Sequence, residues 1–381
     1  MKIVQVIDTL SVASGGPARN SFELNVTLNQ LQSVEARLFY LQGAVKDSVL
    51  SGYGGEAGPL PARPPKRVSL RRGDDAVDLR CALREIADAD VVVVHQYFLW
   101  WIAPIVLLST ILRTPVVVTP HGSLTSHQQK FSVIKKRIFE SVLGWWVRSN
   151  LAGWVTGSQI EKDDLVQLYP EKPVAVGGVG TALPEEHVPE EGWNTPLRLL
   201  ALSRIAPKKR HDLMIGALRR LIDYGVDAEL DIVGTGPSGL VDELRSHVFE
   251  LGLSDRVHFR GQKAGPGKAS SFRAADIYLL PSDDENFGIS LAEALAYGVP
   301  AVVSSGVASS KFMDSRAGRV LTAPTPDSIA RAVIGMVSGS RRQASASARA
   351  CAESSFSWRA VALCWVESLV ELTRDVPVHR S

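Results

Sequence analysis

Short apolar runs alternate with helical patterns along most of the chain. Runs rich in valine, isoleucine and leucine, such as residues 3–7, 91–94 and 277–280, each end at a polar loop. Continuous apolar runs of this length are typical of parallel strands that are buried on both faces. The alternation of such strands with helices predicts an α/β fold. At 381 residues the chain is long enough for two domains.

The most apolar stretch, residues 97–112, is predicted to be a buried helix between two strands. It has only 16 residues and contains Pro104, whereas a helix that crosses a membrane needs about 20. The first residues lack the apolar segment of a signal peptide and are predicted to form a strand. Three scattered cysteines without metal-ligand spacing indicate a reducing compartment. The formal net charge of +2 gives no reason to expect a nucleic-acid partner.

The clearest candidate site lies within residues 277–304. An apolar run is followed by a polar loop, and Gly288 then opens a helical pattern. Two acids, Glu285 and Glu293, stand on either side of this predicted helix N-terminus. Free amides and a glycine at a helix N-terminus favour an anion such as a diphosphate, and the acids would suit sugar hydroxyls. A solvated loop acid and a lone helix acid are the structural alternative.

A second candidate site follows the predicted strand 197–203. Arg204, Lys208 and Lys209 stand at the carboxyl end of that strand. Guanidinium and ammonium groups there would neutralise a diphosphate through charge-assisted hydrogen bonds. A solvated basic loop is the alternative.

The segment P-S-D-D-E-N-F-G-I-S-L-A-E-A-L-A-Y-G-V-P resembles the E-x7-E signature of glycosyltransferase family 4, whose members are retaining enzymes of the GT-B fold. The resemblance implies that Glu285 contacts the donor hexose and that Glu293 contacts the nucleoside ribose. It also implies that backbone amides contact the sugar and the diphosphate, here at Phe287, Gly288 and Ile289, with Asn286 in place of the family's usual small residue.

The resemblance extends to the basic loop and to the first half of the chain. A family arginine and lysine match Arg204 and Lys209, with Arg210 in place of the family's glycine. The glycine loop after the first strand implies that Gly16 lies near the donor phosphates. The segment T-P-H-G-S-L is similar to sequences of a family branch found in bacterial surface-polysaccharide clusters. This similarity implies that His121 lies beside the donor sugar. His95, after the preceding strand, is expected to be structural or solvated.

One glycine pattern leaves an alternative open. Gly234, Gly236 and Gly239 form a G-x-G-x-x-G sequence after a strand, as in dinucleotide-binding proteins. Arg260, at the end of the next strand, would suit only a 2′-phosphate, so the pattern is compatible with an NADP-dependent oxidoreductase. The resembled family has a V-G-x-G-P segment at this point, which makes Gly234 a candidate for donor binding instead.

Residues 130–148 combine five basic residues with Trp145 and Trp146 on one predicted helix. Basic residues next to aromatic ones suit an anionic membrane surface. A helix that packs on the sheet with a solvated basic face is an equal alternative.

The predicted organisation is two Rossmann-like domains that face a central cleft, as the resemblance implies. Residues 1–183 form the acceptor-side domain, 184–355 the nucleotide-sugar-binding domain, and 356–381 a terminal helix that returns to the first domain. Residues 184–196 are the predicted linker, and 338–347 are predicted to form a surface turn.

The resemblance implies a hexosyltransferase that uses a nucleotide-diphosphate sugar as donor and a glycan or lipid-linked saccharide as acceptor, in polysaccharide synthesis. Arg204 and Lys209 would stabilise the departing diphosphate, with His121 and Glu285 as further catalytic candidates. Neither a metal nor another cofactor is expected, although Asp283 and Asp284 stand together. A noncatalytic sugar-nucleotide or membrane-associated binding protein and a sugar-nucleotide isomerase stay open. The expected location is the cytoplasm or the inner face of the cell membrane.

Overall fold

The computed structural model describes residues 1–10, 16–42, 65–69, 76–125, 129, 132–185 and 191–374. It divides the chain into two compact units. Unit 1 is Met1–Gly180 together with Trp358–Ser381, and unit 2 is Thr181–Ser357. The divisions therefore follow Gly180 and Ser357, whereas the sequence predicts domain boundaries after residues 183 and 355.

Unit 1 is built on a parallel sheet that, in the described part of the chain, has eight strands in the order β4-β3-β2-β1-β5-β6-β7-β8. The strands are β1 (Lys2–Thr9), β2 (Glu35–Gln42), β3 (Lys66–Ser69), β4 (Ala76–Asp78), β5 (Val91–His95), β6 (Val116–Thr119), β7 (Gly153–Thr156) and β8 (Val174–Val176). The helices are α1 (Gly16–Leu28), α2 (Leu79–Ala87), α3 (Ile102–Ile111), α4 (Val133–Phe139), α5 (Trp145–Ser149) and α6 (Gln159–Leu168), with a π-helical turn over Glu140–Gly144.

Apolar side chains cover both faces of this sheet. Val92 and Val94 point into one buried cluster, while Val91 and Val93 point into another. This period of two, with both faces buried, explains why β5 is an unbroken run of valines.

Unit 2 is built on a second parallel sheet, with six strands among the described residues in the order β11-β10-β9-β12-β13-β14. The strands are β9 (Leu197–Leu202), β10 (Ala228–Val233), β11 (Val257–Gly261), β12 (Ile277–Leu280), β13 (Ala301–Ser304) and β14 (Gly318–Leu321). The helices are α7 (His211–Asp223), α8 (Ser238–Glu250), α9 (Gly265–Ala274), α10 (Ile289–Ala296), α11 (Pro326–Val337) and α12 (Arg341–Ser355), with 3-10 turns at Pro207–Lys209 and Ala308–Phe312.

The last helix, α13 (Trp358–Thr373), belongs to unit 1. Trp365 and Leu369 join the same buried cluster as Ile3 and Leu24 of the first strand and helix. Gly177, after β8, makes room for this packing, since a Cβ there would lie 2.6 Å from the Trp365 indole. The sequence reads Val-Gly-Gly here where the resembled family has Pro-Asn-Gly, and the close approach of Trp365 gives the first of these glycines a reason.

The prediction of a buried helix over residues 97–112 is wrong in part. The helix α3 covers Ile102–Ile111, and its inner side reaches the core through Ile102 and Val106. Its outer side leaves Leu107 and Ile111 exposed, the latter at 67%. Among the helices of the described residues, none is both long enough and apolar enough to cross a bilayer.

The predicted surface turn at 338–347 is also wrong, because α12 starts within it, at Arg341. The hydroxyl of Ser340 accepts a hydrogen bond from the Gln343 amide and thus caps the helix. Alanines and short polar residues follow, and Ala344 and Ala348 face the core. The small residues that suggest a turn instead allow α12 to pack closely on α10.

Candidate functional site

The sheet of unit 2 has a topological switch point between β9 and β12. From β9 the chain continues outward to β10 and β11, and it then returns to β12 on the other side of β9. In open parallel sheets, ligands bind beyond the carboxyl ends of the strands at such a point. Two loops leave the sheet there, residues 203–210 and 281–288. They contain the predicted basic site and, from the other candidate site, Glu285 and the residues up to Gly288.

Ion pairs connect these two loops. Three consecutive basic residues on the first loop each contact one of three consecutive acids on the second. The pairs are Lys208–Asp284 at 3.7 Å, Lys209–Glu285, and Arg210–Asp283 at 3.2 Å. Each acid of the Asp283-Asp284 pair therefore has a cation beside it, and the structure brings the predicted residues Lys209 and Glu285 into direct contact.

The two predicted phosphate-binding cations have different surroundings. Lys209 is buried, with 7% of the residue exposed, and its ammonium lies on the Glu285 carboxylate. Arg204 is exposed, and its side chain has no partner among the described residues. Arg204 is therefore available to a ligand, whereas Lys209 must exchange a protein contact for a ligand contact.

Two glycines of the G-x-G-x-x-G pattern, Gly234 and Gly236, pack against the backbone of the basic loop. A Cβ on Gly234 would lie 1.9 Å from the Ser203 carbonyl oxygen, and one on Gly236 would lie 2.2 Å from that of Ile205. Backbone therefore packs on backbone here, and only glycine fits. Arg260, which the oxidoreductase alternative requires for a 2′-phosphate, has its Nε 2.9 Å from Oδ1 of Asp231.

The helix α10 presents its N-terminus to the same loops. Gly288 precedes it with φ of 90°, a left-handed conformation that glycine adopts without strain. The amides of Ile289 and Ser290 have no acceptor within the described chain. Phe287 anchors the turn, because its ring packs edge-to-face on Phe356 with centroids 5.8 Å apart. Free amides and the helix dipole make this turn a place for an anion.

Glu293 lies on α10 and is mostly buried. The ammonium of Lys268, on α9, donates to both carboxylate oxygens of Glu293 at 2.6 Å. The pair is thus a charge-assisted contact with both carboxylate oxygens that joins α9 to α10. Sequence reasoning missed Lys268, since a single lysine among the small residues of α9 carries no recognisable signal.

In unit 1, His121 lies at the end of β6 with the left-handed φ of 51°. Its Nε2 is 2.9 Å from Nδ1 of His95, whose Nε2 is 2.9 Å from Oε1 of Gln5. Burial lowers the pKa of His121 to about 4 and also lowers the pKa of His95, so both rings are neutral at neutral pH. His95 is thus a buried structural neighbour of His121, as the sequence suggests, and Gln5 is a residue that the sequence did not indicate.

Glu161 holds the backbone beside His121 in place. This fully buried carboxylate accepts from the amide of Gly122 and, at 3.1 Å, from the amide of Gly157. It thereby joins the ends of β6 and β7. The sequence gives no hint of this role, because Glu161 stands in an ordinary helical pattern.

Gly16, the remaining predicted donor contact, is the first residue of α1 in unit 1. A Cβ there would meet none of the described atoms within 4 Å. Residues 11–15, which complete the predicted glycine loop, lie outside the described residues.

The basic segment 130–148 differs from its prediction. Helix starts only at Val133, and Lys130 lies outside the described residues. Lys136 donates to the Ser123 carbonyl at 3.2 Å, and Arg148 pairs with Glu140, so both cations face the protein. The outward face is instead largely apolar. We call it the outer stripe; it comprises Ile134, Ile138, Val142 and Trp145, each at least half exposed, with Lys135 and Arg137 beside them.

Solved structures share the whole two-unit fold. HepE from Anabaena, in complex with UDP, matches with a TM-score of 0.70 and 17% identity over 97% of this chain and 100% of that chain. Sucrose-phosphate synthase from Thermosynechococcus elongatus matches with a TM-score of 0.64 and 16% identity over 98% of this chain and 100% of that chain. Two Rossmann-like units with parallel sheets define the GT-B class, as predicted from the resemblance.

Two sequence families match in addition, one in each half. Residues 31–177 match the family described as Glycosyltransferase Family 4, and residues 185–352 match the one described as Glycosyl transferases group 1. Each half of the chain thus matches a glycosyltransferase family, which confirms the predicted resemblance to glycosyltransferase family 4. The match leaves Gly234 and Arg260 without the dinucleotide role that the oxidoreductase alternative gave them.

Curated relatives are similar over part of their length. A phosphatidyl-myo-inositol mannosyltransferase of Mycolicibacterium smegmatis is 32% identical over 62% of this chain and 59% of its own. A GDP-mannose-dependent α-(1-6)-phosphatidylinositol dimannoside mannosyltransferase of Mycobacterium tuberculosis is 33% identical over 46% of this chain and 45% of its own. The chain thus spans about half of the length of these relatives.

Proposed function

We propose that this protein transfers a hexose from a nucleotide-diphosphate sugar to a glycan or lipid-linked saccharide, with retention of the anomeric configuration. The observation that carries the proposal is the meeting of Lys209, Glu285 and the free amides of α10 at the switch point of unit 2. Together they offer positive charge for a diphosphate and a carboxylate for sugar hydroxyls. Polysaccharide synthesis at the inner face of the cell membrane is the proposed setting.

In this proposal the residues of unit 2 bind and activate the donor. Arg204, Lys209 and the amides of Ile289 and Ser290 neutralise the charge that develops on the departing diphosphate. Glu293, held in place by Lys268, accepts hydrogen bonds from the ribose. A dedicated metal is not required, because the loop supplies the cations.

Donor binding would break the contact between Lys209 and Glu285. The ammonium of Lys209 would turn to the diphosphate, and the freed carboxylate of Glu285 would accept from hydroxyls of the hexose. The acceptor hydroxyl would then attack the anomeric carbon from the side on which the diphosphate leaves. The proton that it loses would pass to the departing diphosphate, so no protein carboxylate need become the nucleophile.

His121 is proposed to lie beside the hexose. Its pKa of about 4 keeps the ring neutral at neutral pH, so it has no proton to donate as an imidazolium. A neutral ring can still form a hydrogen bond with a sugar hydroxyl.

A panel of sugar nucleotides tests the donor. One relative is a GDP-mannose-dependent mannosyltransferase, and the structure of one neighbour is a complex with UDP-glucose, so both donors belong in the panel. A ligand at 100 times its Kd stabilises the folded state by about 2.7 kcal/mol, or roughly 5–10 °C in Tm. Transfer from the stabilising donor, with the product anomer assigned by NMR, tests reaction and stereochemistry. An inverted product refutes retention, and a donor that binds without transfer favours the noncatalytic binding protein.

The outer stripe supports a location at the membrane. Ile138 and Trp145 are exposed on one helical face, with Lys135 beside them. Apolar side chains that enter the headgroup region each contribute up to about 1.5–3 kcal/mol, and each basic residue near an anionic surface adds about 1 kcal/mol. We infer that the stripe rests on the anionic inner surface of the membrane, where a lipid-linked acceptor would be presented.

Sedimentation with vesicles of phosphatidylglycerol and phosphatidylcholine tests this inference. Replacing Ile134, Ile138 and Trp145 together by serine should abolish sedimentation, while donor-induced stabilisation stays at the parental level. The control is Phe249→Ser, because Phe249 is 77% exposed on unit 2 and outside the stripe. Parent protein that stays in the supernatant at low salt, or equal loss in stripe and control variants, refutes the membrane role.

A further inference from the structure

Three buried side chains continue from His121 into the core of unit 1 as one chain of hydrogen bonds. His121 contacts His95, and His95 contacts Gln5, each at 2.9 Å. Gln5 Nε2 in turn donates to Oδ1 of Asn25 at 3.3 Å. Gln5, Asn25 and His95 are all fully or almost fully buried. This chain of hydrogen bonds thus links the end of β6 to β5, β1 and α1.

The order of these contacts determines which ring nitrogens carry hydrogen. Because Gln5 uses its amide NH₂ for Asn25, it presents its oxygen to His95, so Nε2–H of His95 donates to that oxygen. A neutral imidazole has one N–H, which leaves Nδ1 of His95 bare. That nitrogen accepts from Nε2–H of His121. The Nδ1 of His121 is then a hydrogen-bond acceptor.

The two rings also border a small cavity. It measures about 20 Å³, and its lining includes Asn20, His95, Thr119 and His121. That volume holds about one water molecule or one hydroxyl group. A hydroxyl group that reaches His121 there would donate to the bare Nδ1.

We propose that Gln5 and His95 are positioning residues that hold His121 in the tautomer whose bare Nδ1 accepts a hydrogen bond from a hydroxyl of the transferred hexose. This inference rests on the proposed function, which places His121 beside that sugar. It accounts for a glutamine in the middle of β1, between the buried valines Val4 and Val6. A buried amide costs stability unless each of its groups has a partner, so Gln5 is an unfavourable choice for packing alone.

The first test is the tautomer of His121 in the unliganded parent protein. Long-range proton–nitrogen NMR spectra at pH 7, assigned with single histidine variants, distinguish the two ring nitrogens. The expected result is a neutral ring with hydrogen on Nε2 and a bare Nδ1 in both His95 and His121. Hydrogen on Nδ1 of His121 would mean that donors and acceptors are exchanged along the chain of hydrogen bonds. This result would overturn the proposal.

The second test compares three variants. His95→Phe keeps an aromatic ring in the place where the His95 and His121 rings stack at 5.1 Å, but it removes the acceptor. It should give His121 a mixture of tautomers. Gln5→Leu should do the same through His95. Gln5→Glu is the rescue, because a carboxylate only accepts, and the unpartnered Nδ2 of Asn25 can turn to donate to it.

Steady-state kinetics complete the test. The donor is GDP-mannose or UDP-glucose, whichever the parent protein uses for transfer. His95→Phe and Gln5→Leu should lower kcat at least about tenfold, with the donor KM within about twofold, because unit 2 holds the nucleotide. Gln5→Glu should stay within about threefold of the parent in kcat. Parental kcat in His95→Phe with a changed tautomer would overturn the proposal. If the parent transfers no sugar although the predicted tautomers are found, the proposed function fails and the positioning role with it, while the proton order stands.

Discussion

Replacing Lys209 is expected to reduce both stability and turnover, whereas replacing Arg204 is expected to reduce turnover alone. Both cations are assigned to the departing diphosphate. Only Lys209 is buried and paired within the protein, with Glu285; the Arg204 side chain is exposed and has no partner in the described part of the chain. Comparing the two variants therefore separates support of the fold from support of the reaction.

The stability cost follows from the surroundings of the pair. Removing one partner of a fully buried ion pair costs about 3–5 kcal/mol. The Glu285 side chain keeps 21% of its surface exposed, and solvent therefore screens the charge that Lys209→Met leaves behind. We expect a loss of about 2 kcal/mol, or a Tm about 4–8 °C lower. Arg204→Ala should stay within about 0.5 kcal/mol of the parent.

The effect on turnover should be large for both variants. Removing one group that stabilises developing charge typically lowers kcat by about 10²–10³. Affinity for the free nucleoside, which lacks the diphosphate, should change by less than about threefold. Initial rates, calorimetric titration with the nucleoside and thermal unfolding measure the three quantities. Arg220→Ala is the control, because Arg220 is an exposed arginine on α7 outside the proposed site.

Two results would contradict this reasoning. A Lys209→Met variant with parental Tm would show that the ion pair does not support unit 2 in solution. Parental kcat in both Lys209→Met and Arg204→Ala would remove the proposed role of these cations in the reaction.

Three further outcomes are expected. Glu293→Ala should weaken donor binding by about 1.5–3 kcal/mol in calorimetry, since it removes a charge-assisted bond to the ribose; unchanged affinity in a folded variant would exclude that role. Burial raises the pKa of Glu23 from 4.5 to about 7, so its contribution to stability is present below pH 4.5 and lost as the pH rises through 7. Glu23→Gln should therefore exceed the parent by about 3 kcal/mol at pH 8 and match it near pH 4.5; parallel pH curves would contradict this. A chelator should leave transfer unchanged, and strict dependence on added divalent ions would refute metal-free neutralisation.

The local part of the site could be predicted from the sequence. The strand before the loop, the start of α10 after Gly288 and its end before Gly298, which has a left-handed φ of 70°, are confirmed. Each depends on neighbours within a few residues, so apolar periodicity and glycine chemistry suffice. That the loops containing Arg204 and Glu285 leave the same edge of the sheet also follows from parallel-strand rules once both strands are recognised.

The partners of the site residues could not be predicted. Lys268 is 25 residues from Glu293, and Gln5 is 90 residues from His95. Nothing in the local pattern of either segment marks these contacts, because they depend on the order of strands in the sheet. The sequence therefore indicates which residues carry chemistry but not which residues hold them.

The exposed faces of α3 and α4 could not be predicted, for a different reason. The helix α3 is apolar around much of its circumference, and α4 has basic residues interleaved with apolar ones, so neither sequence gives a direction toward the core. The structure buries Val106 and Phe139 and leaves Ile111 and Ile138 exposed. Only the packing of neighbouring elements decides between these faces.

The place of α13 in unit 1 has a consequence for biosynthesis. The cluster that contains Ile3, Leu24 and Val91 is completed by Trp365 and Leu369, which leave the ribosome only after all of unit 2. At ordinary rates of translation the first half must wait about ten seconds or more for its final helix. Unit 2 has all of its residues in one continuous segment, Thr181–Ser357, so it can finish folding while the unit that began first is still incomplete. During that interval the apolar surface awaiting α13 is open to chaperones.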